Sequence, residues 1–178
     1  MEEKAKAPFW KPALIYGAIV GFVGILIGLV FYFLNMATDS WTGYVTMAIG
    51  LAILVYCLVA YRNEYLGGFA SFKQIFLMAL VIGIISSIIS AAYTYILYTV
   101  IDPGLIDKLR IATEEKIMSN PRIPESMYDG LFEKMEARFT AAKMTTMALI
   151  WGPIVNAIIG LIIAAFVKKE ETPASNAV

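Results

Sequence analysis

The sequence predicts an all-α polytopic membrane protein, with four transmembrane helices and an amphipathic helical hairpin between the third and the fourth. Three observations predict it. Of 178 residues, 60% are hydrophobic and only 16% charged, with a mean hydropathy of +0.73; a water-soluble domain of this size needs more polar surface. The apolar residues gather into four uncharged runs, each close to the roughly 20 residues that cross about 30 Å of hydrocarbon as a helix. Within each run the apolar residues are continuous rather than alternating, which suits helices and not the strands of an outer-membrane barrel.

The first span covers about residues 13–34. It is a full membrane crossing with no small-residue cleavage pattern after it, so it reads as a retained anchor and not a signal peptide. It carries Gly17, Gly21, Gly24 and Gly28 on nearly one face. The second span, about 44–61, is short for a crossing and holds Cys57, the only cysteine. One cysteine makes neither an intrachain disulfide nor a zinc site. Gly67-Gly68 then reads as a turn. The third span, about 74–101, is longer than a crossing needs, which predicts tilt or a projecting end. It places Ala79, Gly83, Ser87 and Ala91 at every fourth position, with Ser86 and Ser90 beside them.

Residues 102–143 are too long and too patterned for a plain connector. Asp102-Pro103 reads as a helix start. Leu105, Ile106, Leu109, Ala112 and Ile117 give an apolar stripe, and Arg110 is placed to pair with Glu114. Asn120-Pro121 stops that helix. A second begins at Pro124 or Ser126, with Ser126 and Asp129 as a box-like cap, and carries Leu131, Phe132, Met135 and Phe139 at helical spacing. It is expected to run on into the fourth span, about 144–167. That span has Gly152, Asn156, Gly160 and Ala164 four apart, and Pro153 inside it. Proline removes one backbone hydrogen bond and crowds the carbonyl of Leu149. Trp151 places Pro153 near the interface, and Asn156 is in reach of the freed group. The polar, small residues 170–178 read as a frayed tail. Residues 1–169 are thus expected to form a single four-helix transmembrane domain.

In lipid, helices associate through close packing of small residues. The faces Gly17, Gly21, Gly24, Gly28 and Ala79, Gly83, Ser87, Ala91 are therefore the expected helix-packing surfaces. They serve the monomer, with homodimerisation as the other use. Ser86, Ser90 and Asn156 are the expected lining of a weakly polar path, against the plainer reading in which serine bonds its own helix.

Lys4, Lys6, Lys11, Arg62, Lys73, Lys168 and Lys169 flank the spans on one side. Lys108, Arg110, Lys116, Arg122, Lys134, Arg138 and Lys143 lie in the long loop, so the two sides tie at seven each. Short loops and the first span dominate orientation, which predicts both termini cytoplasmic and the loop 102–143 periplasmic.

Formal charge is balanced, 14 against 14, and histidine is absent. The first argues against nucleic acid and the second removes imidazole ligands and bases. No nucleophile elbow, Walker loop, zinc signature or dinucleotide fingerprint occurs. No catalytic, metal or cofactor-binding residue is expected. Uncharged spans also argue against ion coupling, which uses ionisable groups at membrane depth.

Three stretches carry a family resemblance. They are Tyr61-Arg62-Asn63-Glu64 through Gly67-Gly68-Phe69-Ala70-Ser71-Phe72, then Tyr98-Thr99-Val100-Ile101-Asp102-Pro103, then Lys168-Lys169 closing the last span. With four spans and a long third loop, the chain resembles, over roughly residues 9–169, the bacterial membrane family known as domain of unknown function 4199 (DUF4199). The resemblance implies a four-helix inner-membrane protein of a Gram-negative lineage and carries over no activity. The expected role is a non-enzymatic assembly or accessory protein whose partners are lipid and a second copy or another membrane protein. The alternatives are a small-solute channel or carrier, and an interfacial enzyme using Glu114, Glu115, Asp129 and Glu133.

Overall fold

The computed structural model describes residues 9–169. Lys4, Lys6 and the expected tail 170–178 lie outside the described residues. Four helices are long and apolar enough to cross a membrane, and the chain is a multi-pass membrane protein on that evidence. They are α1 (Trp10–Phe33), α2 (Ser40–Ala60), α3 (Phe72–Ile96) and α6 (Ala141–Val167). Between α3 and α6 lie α4 (Leu105–Met118) and α5 (Tyr128–Glu136), which pack on each other. No named strand occurs among the described residues.

The helices outrun the apolar runs because their ends carry charge without leaving the helix. Lys11, Lys73 and Lys143 sit in first turns, and α2 continues as a π-helical turn Tyr61–Tyr65 that takes in Arg62 and Glu64. α3 ends similarly in Leu97–Ile101, where the Asp102 amide donates to the Leu97 carbonyl at 2.8 Å.

α3 is the centre of the bundle. Of its most apolar stretch 44% is buried, against 17% in α1 and α2 and 22% in α6. Its two faces meet different neighbours. Toward α6, a Cβ added to Gly83 would strike Asn156, one on Gly152 would strike Ser87, and one on Gly160 would meet Ala79 at 2.8 Å. The pairs step four residues up one helix and four down the other, so α3 and α6 are antiparallel and in contact almost backbone to backbone. Toward α1, Gly17 and Gly21 receive Ile85 and Ile89, which marks a parallel pair.

α2 is held at its ends. Leu54, Cys57, Leu58 and Tyr61 join Ala13, Tyr16, Ile75, Met78, Ile163 and Val167 in the main core, and Thr42 is buried near the other end. None of the residues between Thr42 and Leu54 is buried. The middle of α2 therefore stands off from α3 and α6.

The end bearing Lys11, Arg62 and Lys169 is tied by specific polar contacts. Arg62 Nη1 donates to the Val167 carbonyl at 2.9 Å, at the C-terminus of α6. Tyr16 donates to Glu64 at 3.2 Å. Gly67 and Gly68 have φ +66° and +89° and turn the chain back. Ala70 and Lys169 then exchange two backbone hydrogen bonds of 2.9 Å, and Ser71 with Gln74 caps α3 as a reciprocal box.

At the opposite end the structure corrects several expectations. Asp102 does not cap α4, which begins at Leu105 behind Gly104. Its carboxylate instead accepts from Tyr32 at 3.2 Å and from Lys108 at 3.4 Å, since two donors converge there. Arg110 pairs with Asp107 and, across to α5, with Glu136 at 3.2 Å rather than with Glu114. The tertiary approach of α5 outcompetes the local i,i+4 partner. No side chain caps α5; a short 3₁₀ turn Glu125–Met127 leads into it, with Met127 before the first turn. α5 does not run on into α6. The chain breaks after Glu136 and Thr140 starts α6 afresh, its hydroxyl accepting from the Lys143 amide. With α6 beginning at Ala141, Pro153 lies near the middle of the helix, beside the Gly152–Ser87 contact.

Candidate functional site

The stand-off of α2 opens a cleft of about 440 Å³ between α1, α2, α3 and α6. It lies near mid-helix on all four, hence at hydrocarbon depth. Gly24 and Gly50 form part of its wall, Leu54 and Ile159 add apolar surface, and Ser86, Ser87, Ser90 and Asn156 contribute the polar atoms. Four residues from two helices that the sequence marked as polar thus share one wall, although nothing in either span alone says that they meet.

Their hydrogen bonding decides what the wall offers. Ser86 and Ser87 both donate to the Gly83 carbonyl, at 3.1 and 2.7 Å. Asn156 Nδ2 donates to the Gly152 carbonyl at 2.9 Å, not to the Leu149 carbonyl that Pro153 leaves without its usual donor. These side chains bond back to their own helices. The wall is uncharged, and the Ser90 hydroxyl and the second N–H of Asn156 have no partner among the described residues.

Gly24 and Gly28 behave differently from Gly17 and Gly21. A Cβ on either would meet no described atom within 4 Å, and the same holds for Gly43 and Gly50 on α2. The glycine face of α1 is split: one half is filled by α3, the other faces open space. On α3, Ala79, Gly83, Ser87 and Ala91 are all buried.

The cleft continues toward the end that carries α4. A second space of about 440 Å³ is lined by Gly28, Gly43, Tyr93, Tyr98 and, from α4, Leu105 and Leu109. The two share Thr46 and Met47 as walls. Tyr93 Oη is buried there with no hydrogen-bond partner among the described residues. A third space, about 330 Å³, follows beneath α4 and shares Tyr32, Ala37 and Leu105 with the second; Lys108 and Glu115 stand in its wall. Sequence reasoning reached Tyr93 only as one of the span-three tyrosines expected at the outer interface, and it missed the α2 glycines. Gly43 and Gly50 are seven residues apart, two helical turns, and that spacing is the signal that was there to find.

Among the described residues no three of His, Cys, Asp or Glu come together as a metal-binding group. The carboxylates Glu114, Glu115, Asp129 and Glu133 are spread over α4 and α5.

No curated protein and no solved structure matches the chain. The family described as "Protein of unknown function (DUF4199)" has a sequence model that matches residues 15–169. The stretch runs from the first turns of α1 through the Ala70–Lys169 tie, so it takes in the cleft and both ends of the bundle, and the chain belongs to the DUF4199 family.

Proposed function

We propose that the protein is a non-enzymatic integral membrane protein of a bacterial inner membrane that assembles with another membrane protein through α4 and α5. The single observation that carries this reading is the surface of that unit. Ile111, Met118 and Met127 are 50, 50 and 57% exposed, on a segment otherwise rich in charge. Exposed apolar side chains rimmed by polar ones mark interaction sites. We read α4 and α5 as an amphipathic hairpin joined by Arg110 and Glu136, with the loop 102–143 periplasmic and both termini cytoplasmic, as the positive charges of the short loops favour. A non-catalytic role is supported by the cleft, in which Ser86, Ser87 and Asn156 bond back to their own helices and no charged side chain stands.

A photoreactive residue at Met118 or Met127, activated in native membranes, tests the proposal. It is expected to trap one recurrent protein, foreign or a second copy, that mass spectrometry identifies. Adducts to lipid alone would sink it.

A second reading, a small-solute channel or carrier, is favoured by the convergence of Ser86, Ser87, Ser90 and Asn156 on one wall. It expects solute flux into liposomes that falls when Ser90 and Asn156 become alanine. No flux across a broad panel of solutes would remove it.

A further inference from the structure

We infer that the space between α1 and α2 is a lipid-binding groove, which holds the alkyl region of one zwitterionic phospholipid with its head group under α4. This goes beyond the assembly role proposed above and does not depend on it.

Four glycines make the groove. Gly24 and Gly50 line its deep section, Gly28 and Gly43 its shallow one, and none would meet a described atom within 4 Å if it carried a Cβ. Elsewhere in the bundle, glycines let a neighbouring helix approach, as Gly17 and Gly83 do. Here they leave room that no part of the described chain fills. The deep section lies at hydrocarbon depth, where the surrounding solvent is alkyl chain. Its wall carries no charge, and the hydroxyls of Ser86 and Ser87 and one N–H of Asn156 are already used. Most of the lining is apolar, and an occupant there needs few hydrogen bonds, which suits methylene groups.

Polarity rises along the groove in the order of a phospholipid's own parts. In the shallow section the buried Tyr93 hydroxyl lacks an acceptor, and a buried donor without a partner is costly. An ester carbonyl, the group between chain and head, supplies one. Beyond it, Lys108 and Glu115 stand in the wall beneath α4, and Lys116 borders the outermost space beside Glu115. Lys108 and Lys116 suit a phosphate; Glu115 suits an ammonium, and Asp102, paired with Lys108, adds negative charge that disfavours a purely anionic head. A transmembrane helix is a poorer occupant. Leu105 and Leu109 of α4 close over the shallow section, held there by Lys108 to Asp102 and by Lys116 to the Thr38 carbonyl at 3.1 Å. A helix seated in the groove would run into α4, whereas a lipid ends there.

The test uses the full chain in nanodiscs of phosphatidylethanolamine with a minority of phosphatidylglycerol and a trace of spin-labelled phosphatidylethanolamine. The wild type is expected to show an immobilised label component, and native mass spectrometry to show a retained phosphatidylethanolamine adduct. The double variant Gly24→Leu/Gly50→Leu puts two side chains into the deep section, where a Cβ at either position meets nothing described within 4 Å. It is expected to cut retention roughly tenfold, equivalent to about 1.4 kcal/mol, while remaining monodisperse. Tyr93→Phe is the second variant, expected to weaken retention with the deep section intact. Equal retention by wild type and both variants overturns the proposal. So does retention of phosphatidylglycerol in preference to phosphatidylethanolamine, or a transmembrane segment of another protein cross-linked to residue 24 or 50.

Discussion

Gly17 and Gly24 have the same side chain and the same helix, yet opposite duties. Ile85 Cβ lies 2.7 Å from where a Cβ of residue 17 would be, whereas residue 24 faces open space. Gly17→Val is therefore expected to destabilise the bundle by about 1–3 kcal/mol, the usual cost of overpacking, and Gly24→Ala to be close to neutral. Reversible unfolding in mixed micelles, titrated with a denaturing detergent, separates the two; equal effects would mean that α1 does not lie on α3 as described. Gly67 poses a different problem. Its φ of +66° is left-handed and nothing described lies within 4 Å, so Gly67→Ala isolates the backbone cost. A loss of roughly 1–2 kcal/mol is expected in the same titration, with no change in the packed core.

At the scale of elements, the ends matter more than the interiors. Helix interiors in lipid have no alternative to their own hydrogen bonds, so choice is exercised at caps and turns. Ser71 and Thr140 each accept from a first-turn amide. Alanine at either is expected to cost about 1 kcal/mol, seen as faster amide exchange confined to the first turn of α3 or α6, with Thr140→Ser restoring protection. Arg62 acts on another helix altogether, closing the C-terminus of α6 at the Val167 carbonyl. Arg62→Gln removes both a charged donor and a favourable charge at a helix C-terminus. Faster exchange is expected in the last turn of α6 and at the Ala70–Lys169 pair, without change in α4. If exchange there stays at the wild-type rate, the Arg62 contact contributes nothing. The sequence motif around Arg62 and Gly67-Gly68 thus has a structural meaning: it is the knot that joins α2, α3 and α6 at one end.

For the molecule as a whole, four crossings put the α2–α3 turn and the α4–α5 unit on opposite faces of the membrane. With Cys57, which is fully buried, replaced by alanine, single cysteines at Asn63 and Asn120 report the two faces. A membrane-impermeant maleimide is expected to label Asn120→Cys in intact spheroplasts and Asn63→Cys only after lysis. The reverse pattern would invert the proposed orientation and keep the fold. Labelling of both from one side would remove the four-crossing architecture itself.

The four helices were legible in the sequence because hydrocarbon imposes a length and forbids charge, and both constraints are local. The glycine turn, and the stop at Asn120-Pro121 just beyond Met118, were legible for the same reason, since each follows from the chain's own conformational limits. Whatever needed two segments at once was not. Asp102 read as a cap until Tyr32 and Lys108 were found to take its carboxylate, and Arg110 read as a partner of Glu114 until α5 brought Glu136 closer. The serines and Asn156 were visible as polar residues on two helices; only packing brought them to one wall. The stripe of glycines on α1 looked uniform. Tertiary structure divided it into a filled half against Ile85 and Ile89 and an empty half facing α2, because a glycine's role depends on what stands opposite it, and spacing along one helix carries no record of its neighbour.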